Sequence, residues 1–211
     1  MLATRVIARL DVKGMNVVKG RRFDGLKVMG GLYDCAQRAQ AQGADELLYV
    51  DIVASLYGRS FNGEAIEEVS RDLYIPLTVC GGIRSVEDVR SVMRLGADKV
   101  GVNTAAVENW DLLLDISSRY GCQALVCSIE AKDATSHWDV HTHGGREPSG
   151  MNVAFWADKA VALGAGEILL TSVDRDGCHT GADLALISAV RIACPGTHWS
   201  TQGGLAPRQE R

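Results

Sequence analysis

Gly43-Ala44-Asp45-Glu46-Leu47-Leu48 returns as Gly164-Ala165-Gly166-Glu167-Ile168-Leu169, 121 residues further along the chain. It does not return alone. Leu10-Asp11-Val12-Lys13 is matched by Ile129-Glu130-Ala131-Lys132 at an offset of 119. Cys80-Gly81-Gly82-Ile83 is matched by Gln202-Gly203-Gly204-Leu205 at an offset of 122. Three anchors in one order, at nearly one shift, mark an internal duplication.

Working outward from these anchors, apolar runs alternate with helical patterns. The runs are Val6–Leu10, Glu46–Ile52, Leu77–Cys80, Lys99–Val102, Ala124–Ile129, Ile168–Val173 and His198–Thr201. They are near-continuous rather than alternating, as expected of parallel strands buried on both faces. Between them, helices are predicted over Leu32–Gln42, Gly63–Leu73, Ser85–Leu95, Asn109–Tyr120, Asn152–Leu163 and Asp183–Ala193, most ending at Gly or before Pro. Ser85 with Asp88 three residues on resembles a capping box. Strand–helix alternation of this kind indicates βα units.

The first half holds four strands, and its duplication gives the eight of a (β/α)8 TIM barrel. The reading is one α/β domain over 1–211, in half-barrels of about 1–121 and 122–211. The counterpart of Gly96–Thr104 would begin near position 218, past Arg211, and Ala206–Arg211 has no helical apolar face. The expectation is therefore an incomplete second half, with the seventh helix and eighth βα unit missing, open sheet edges and marginal stability.

The 211 residues carry 22 Lys+Arg against 26 Asp+Glu, a net charge of −4, with 46% hydrophobic and 23% charged residues. This balance argues against disorder and against a basic nucleic-acid platform. No apolar run reaches the roughly 20 residues of a membrane span. Arg5 and Arg9 interrupt the N-terminal apolar stretch, so a signal peptide is not read and a cytoplasmic location is expected. Six scattered cysteines without a CxxC fit reduced core residues. His137, His141 and His143 are read as loop residues, and no metal or cofactor is assigned.

Barrel chemistry gathers where strands end. Asp11 closes the first predicted strand and Glu130 the fifth, opposite each other across the mouth; two such carboxylates suit general acid–base work. Gly81-Gly82 and Gly203-Gly204 follow repeat-related strands, Asn103-Thr104 follows the fourth, and Asp176-Gly177 the sixth. Glycine-rich turns let backbone amides approach an anion, so two phosphate cradles are read, one per half, for a ligand with phosphate at each end. Arg5, Glu46, Lys99 and Glu167 sit at strand starts. Taken by themselves they read as an ion-pair ring closing the barrel bottom.

These residues resemble the cyclase subunit of imidazole glycerol phosphate synthase, from histidine biosynthesis. The resemblance runs over residues 1–205 and is carried by Arg5–Lys13, Val17-Val18-Lys19-Gly20, Asp45–Ser55, Gly81-Gly82-Ile83, Gly96–Asn109 and Gly164–Gly177. It implies a barrel that takes ammonia from a glutaminase subunit docked at its N-terminal face. The ammonia converts a phosphoribulosyl-formimino aminoimidazole carboxamide ribotide into imidazole glycerol phosphate and aminoimidazole carboxamide ribotide. By resemblance, Asp11 and Glu130 are catalytic. Gly82, Asn103 and Thr104 match one phosphate site, and Asp176, Gly177 and Gly203 the other. Lys19 belongs to a substrate loop and Asp98 to the partner interface. Arg5, Glu46, Lys99 and Glu167 become an ammonia gate rather than a structural ring.

The sequence also departs from the family. Glu130 stands where the family has aspartate, and Arg9 where it has a small residue beside Asp11; a guanidinium there would pair with Asp11 and lower its pKa. Gly14-Met15 replaces Asp-Gly. The competing readings are the sister ribotide isomerase, which needs neither gate nor Asp98, and a non-catalytic relic.

Overall fold

In the computed structural model, residues 5–202 are described. Along the chain come β1 (Ile7–Lys13), a hairpin of β2 (Asn16–Arg21) and β3 (Asp24–Gly31), α1 (Leu32–Ala41), β4 (Glu46–Asp51), α2 (Gly63–Ser70) and β5 (Leu77–Cys80). Then follow α3 (Val86–Arg94), β6 (Lys99–Val102), α4 (Thr104–Glu108), α5 (Asp111–Tyr120) and β7 (Leu125–Asp133). A second hairpin, β8 (Trp138–Thr142) and β9 (Glu147–Asn152), precedes α6 (Val153–Ala162), β10 (Glu167–Ser172), α7 (Leu184–Ala193) and β11 (His198–Gln202). No helix among the described residues is long and apolar enough to cross a membrane.

Among the described residues, seven strands pair in parallel in the order β11-β10-β7-β6-β5-β4-β1, the curled sheet of a (β/α) barrel. Side chains alternate across each strand. Leu10, Val12, Leu47, Tyr49, Val79, Cys127 and Ile168 pack outward in the core shared with the helices. Leu48, Cys80, Val126 and Leu169 form a separate buried cluster in the barrel interior. The segments whose sequence ran continuously apolar are the ones buried on both faces: all four residues of β5 and all six of β10 are buried.

Both strands that carry the candidate carboxylates run past them. Asp11 and Glu130 lie inside β1 and β7 rather than closing them, because each strand is prolonged by antiparallel pairing with its hairpin, Val12 against Val17 and Glu130 against His141. The two hairpins occupy equivalent places in the two halves. The second corrects the loop reading for one of the three histidines: His141 is a buried residue of β8, its Nδ1 3.1 Å from the Gly145 carbonyl, whereas His137 and His143 lie in the bend and the turn on either side of that strand.

Helix ends are closed by side chains. Ser85 accepts from the Asp88 amide while Asp88 accepts from the Ser85 amide, the reciprocal box read from sequence. At the other end of α3, Ser70 Oγ donates to the Leu95 carbonyl at 2.6 Å; Ser117 Oγ does the same for Leu163 after α6, at 3.1 Å. These hydroxyls satisfy carbonyls that a helix C-terminus leaves unpaired. Gly96 follows Leu95 at φ +105°, and an added Cβ would lie 2.7 Å from Ser70 Cβ, so the closure requires glycine there. Ser85→Ala is expected to cost about 1 kcal/mol, read as a fall in Tm of about 2–4 °C.

Candidate active site

The period of β1 puts Arg9 and Asp11 on one face, turned into the barrel. Asp11 is buried, and both its oxygens are engaged: Oδ1 accepts from Arg9 Nε at 2.7 Å and Oδ2 from Lys19 Nζ at 2.7 Å. Arg9 continues across the interior to Thr171 on β10, its Nη1 3.1 Å from Oγ1. Lys19, on β2, also lies 3.3 Å from Asp176 Oδ1 in the turn after β10. A chain of polar contacts therefore crosses the mouth from Thr171 through Arg9, Asp11 and Lys19 to Asp176. Burial would raise the Asp11 carboxyl, but the Arg9 and Lys19 charges beside it hold it below its ordinary value.

Glu130 meets a different environment. Its Oε2 accepts the Gly145 backbone amide at 2.7 Å, in the β8–β9 turn. Burial pushes it up to about 7, against the opposing pull of Arg9 and the Gly145 amide. Arg9 stays charged: burial opposes its charge, but Asp11 outweighs it and raises the guanidinium above its ordinary value.

A cavity of about 320 Å³ opens beside Glu130, with Gly81, Gly82, Asn103, Thr104 and Ser128 on its wall. Asp11 is not among its lining residues. At Gly82, φ is +74° and an added Cβ would lie 2.5 Å from the Phe61 amide nitrogen, so only glycine brings this turn against loop 58–61. Asn103 Nδ2 donates to the His141 carbonyl at 3.2 Å. Thr104 Oγ1 accepts from the His143 amide at 3.1 Å, which leaves the hydroxyl proton to donate into the cavity. These three residues of the first predicted cradle are thus brought together. Of the second, Asp176 is buried and Gly177 packs on the Gly20 backbone of the first hairpin; Gly203 lies outside the described residues.

At the opposite end, Arg5, Glu46, Lys99 and Glu167 form one closed ring. Arg5 bonds Glu46 at 2.8 Å and Glu167 at 2.9 Å; Lys99 bonds Glu46 at 2.9 Å and Glu167 at 3.1 Å. Thr78 donates to Glu46 at 2.6 Å and Ser200 donates to Glu167. Asp98 is exposed on this same end, where its Oδ2 accepts the Leu77 amide at 2.8 Å.

Sequence reasoning assigned no site role to several cavity residues, among them Asp51, Arg84 and His143. Asp51 ends β4 and holds the next turn by accepting from the Val53 and Ala54 amides; the strand-end rule applied to Asp11 would have found it. Arg84, clamped to the Gly58 and Arg59 carbonyls, and His143, 3.3 Å from Glu147, carry no comparable signal.

A parallel barrel with carboxylates around one mouth places the chain among the barrel enzymes that work at the C-terminal ends of their strands. The comparisons with known proteins narrow this. The profile of the family described as histidine biosynthesis protein matches residues 5–209. The imidazole glycerol phosphate synthase subunit HisF of Legionella pneumophila is 50% identical over 191 residues, 90% of this chain and 90% of that protein. The subunit HisF of Myxococcus xanthus (strain DK1622) is 50% identical over 193 residues, 92% of this chain and 76% of its own. That of Pyrococcus furiosus is 46% identical over 190 residues, 90% and 76%. The chain belongs to the histidine biosynthesis protein family.

Proposed function

We propose that this chain is the cyclase of an imidazole glycerol phosphate synthase. It uses ammonia to convert the phosphoribulosyl-formimino aminoimidazole carboxamide ribotide into imidazole glycerol phosphate and aminoimidazole carboxamide ribotide. The observation that carries the reading is the placement of Glu130 on the wall of the cavity that also holds the Gly82–Asn103–Thr104 turn pair. An anion held by that cradle would present the rest of the ligand to a titratable carboxylate. Asp11 and Glu130 are the two catalytic carboxylates of the mouth. Lys19 belongs to the hairpin over the substrate, and Asp176 and Gly177 to the second anion site.

The partner in this reading is a glutaminase subunit docked at the N-terminal face, beside Asp98. The ring of Arg5, Glu46, Lys99 and Glu167 is the gate by which ammonia enters. In the isomerase reading this ring would serve no ammonia path.

The test is turnover of the formimino ribotide by the purified chain with ammonium salt, followed by release of the two products. Absence of turnover in protein that binds the ribotide would sink the reading. Gly82→Ala places a methyl group against Phe61 and displaces the turn. Losing one charge-assisted hydrogen bond to phosphate corresponds to about 10- to 100-fold weaker binding, so KM is expected to rise by that factor while the thermal transition persists.

A further inference from the structure

We propose that the two carboxylates divide their labour: Glu130 alone carries the proton, first as base and then as acid, while Asp11 remains a fixed anion that Arg9 positions. This rests on the reading of the mouth as a cyclase site. The ammonia nitrogen forms two C–N bonds. One is to the ribulosyl carbonyl carbon, whose oxygen leaves as water. The other, as the imidazole ring closes, is to the formimino carbon, where the bond to the aminoimidazole amine breaks. Glu130 as carboxylate takes the proton from the entering nitrogen and, now neutral, returns it to the departing amine, so the residue ends a turnover as it began.

The geometry separates the two groups. Neither Asp11 oxygen is without a cation, since Arg9 holds Oδ1 and Lys19 holds Oδ2. Protonating Asp11 means giving up one of these pairs, and a guanidinium does not lose its proton in exchange. Arg9 is tied to Thr171 on β10, which keeps it from swinging aside. Glu130 accepts the Gly145 amide through Oε2 and borders the cavity, which Asp11 does not.

The charged groups facing the pair come from every side: Arg9 on β1, Lys19 on β2 and Asp176 after β10. Burial raises Glu130 to about 7, and the cations keep Asp11 low. Two titratable groups whose environments push them apart mark the proton carrier and the fixed charge. A carrier that titrates near the working pH populates both forms it needs. In this arrangement Arg9 is a positioning residue, acting through Asp11.

The test joins titration to kinetics. Carboxyl-labelled protein is titrated by carbon NMR, and kcat/KM is followed against pH at constant free ammonia. One carboxyl is expected to titrate near 7 and to vanish in Glu130→Gln. The wild-type kcat/KM rises through a single bend at that pH. Glu130→Gln loses about 10²- to 10⁴-fold in kcat. Asp11→Asn lowers kcat and keeps a single bend, moved to lower pH because the Asp11 charge no longer raises Glu130.

Arg9→Met releases Asp11, so a second titrating carboxyl and a second bend appear; Arg9→Lys keeps the single bend. If Arg9→Met does not fold, Lys19→Met, on the hairpin, strips the other cation and is expected to raise Asp11 likewise. A carboxyl near 7 that vanishes in Asp11→Asn, or an Asp11 titration that neither substitution moves, overturns the division of labour. Titrations as expected but no wild-type turnover overturn the cyclase reading, and with it the proton transfer assigned to Glu130.

Discussion

Glu130→Asp lowers turnover about 10²-fold, the cost expected of a reacting group misplaced by about 1 Å. The direction is the opposite of what the family resemblance suggests, since aspartate is the residue the family carries at this position. The reason lies in the β8–β9 turn. Gly144 and Gly145 stand in succession at φ +65° and +74°, and this tight turn carries the Gly145 amide to 2.7 Å from Glu130 Oε2. A Cβ added at the second glycine would stand 3.3 Å from Val173 and 3.4 Å from Phe23, so these side chains leave the turn little room to follow a retreating carboxylate.

A side chain shorter by one C–C bond, about 1.5 Å, withdraws from that amide and from the cavity wall. The longer residue and the turn therefore form a matched pair. The measurement is kcat of Glu130→Asp beside wild type at saturating ammonia. A rate equal to or above wild type would show that the turn follows the shorter side chain, and that the extra methylene is not part of the design.

The duplication made the barrel legible, because its anchors fall on strands buried on both faces and on glycines that close helices. Gly96 and Gly164 each end a helix against a serine of the preceding one, so their positions follow from local geometry. The hairpins were not legible. Every residue of β3 is exposed or half-buried, so no apolar period marks it, and β9 is similarly open to solvent.

Of the site, the pairing of Arg9 with Asp11 could be anticipated because two residues on one strand share a face. The contact of Lys19 with Asp176 joins residues 157 apart and arises only when the first hairpin folds over the turn after β10. The same closure sets Gly177 against the Gly20 backbone. The cavity itself depends on loops whose side chains follow no period, and for that reason Arg84 carried no signal and His143 read as a loop residue without a site role.

Glu46→Ala destabilises the protein by about 3 kcal/mol, at the lower end of the cost of breaking a buried ion pair from one side. Glu46 is buried, with 4% of its side chain exposed, and accepts from Arg5, Lys99 and Thr78 together. Its removal leaves Lys99, itself largely enclosed, with Glu167 as its remaining partner in the ring, and leaves the Thr78 hydroxyl without its acceptor. Arg5→Met is the contrasting variant. The Arg5 side chain is 41% exposed, so solvent screens its pairs and the loss is under about 1 kcal/mol.

Acid reads the same ring through Glu167. Burial would raise that carboxyl, but the Ser200 hydroxyl, Lys99 and Arg5 hold it below its ordinary value. A carboxylate lowered on folding adds stability that is fully present above its unfolded pKa. That stability drains away as pH falls through the lowered value. Lys99→Met, which removes one of the cations holding Glu167 down, shrinks this contribution. Urea unfolding of wild type, Glu46→Ala, Arg5→Met and Lys99→Met, at neutral pH and across the acid limb, measures both effects. An equal loss in Glu46→Ala and Arg5→Met would mean that the ring is held by exposed pairs and that burial of Glu46 adds nothing.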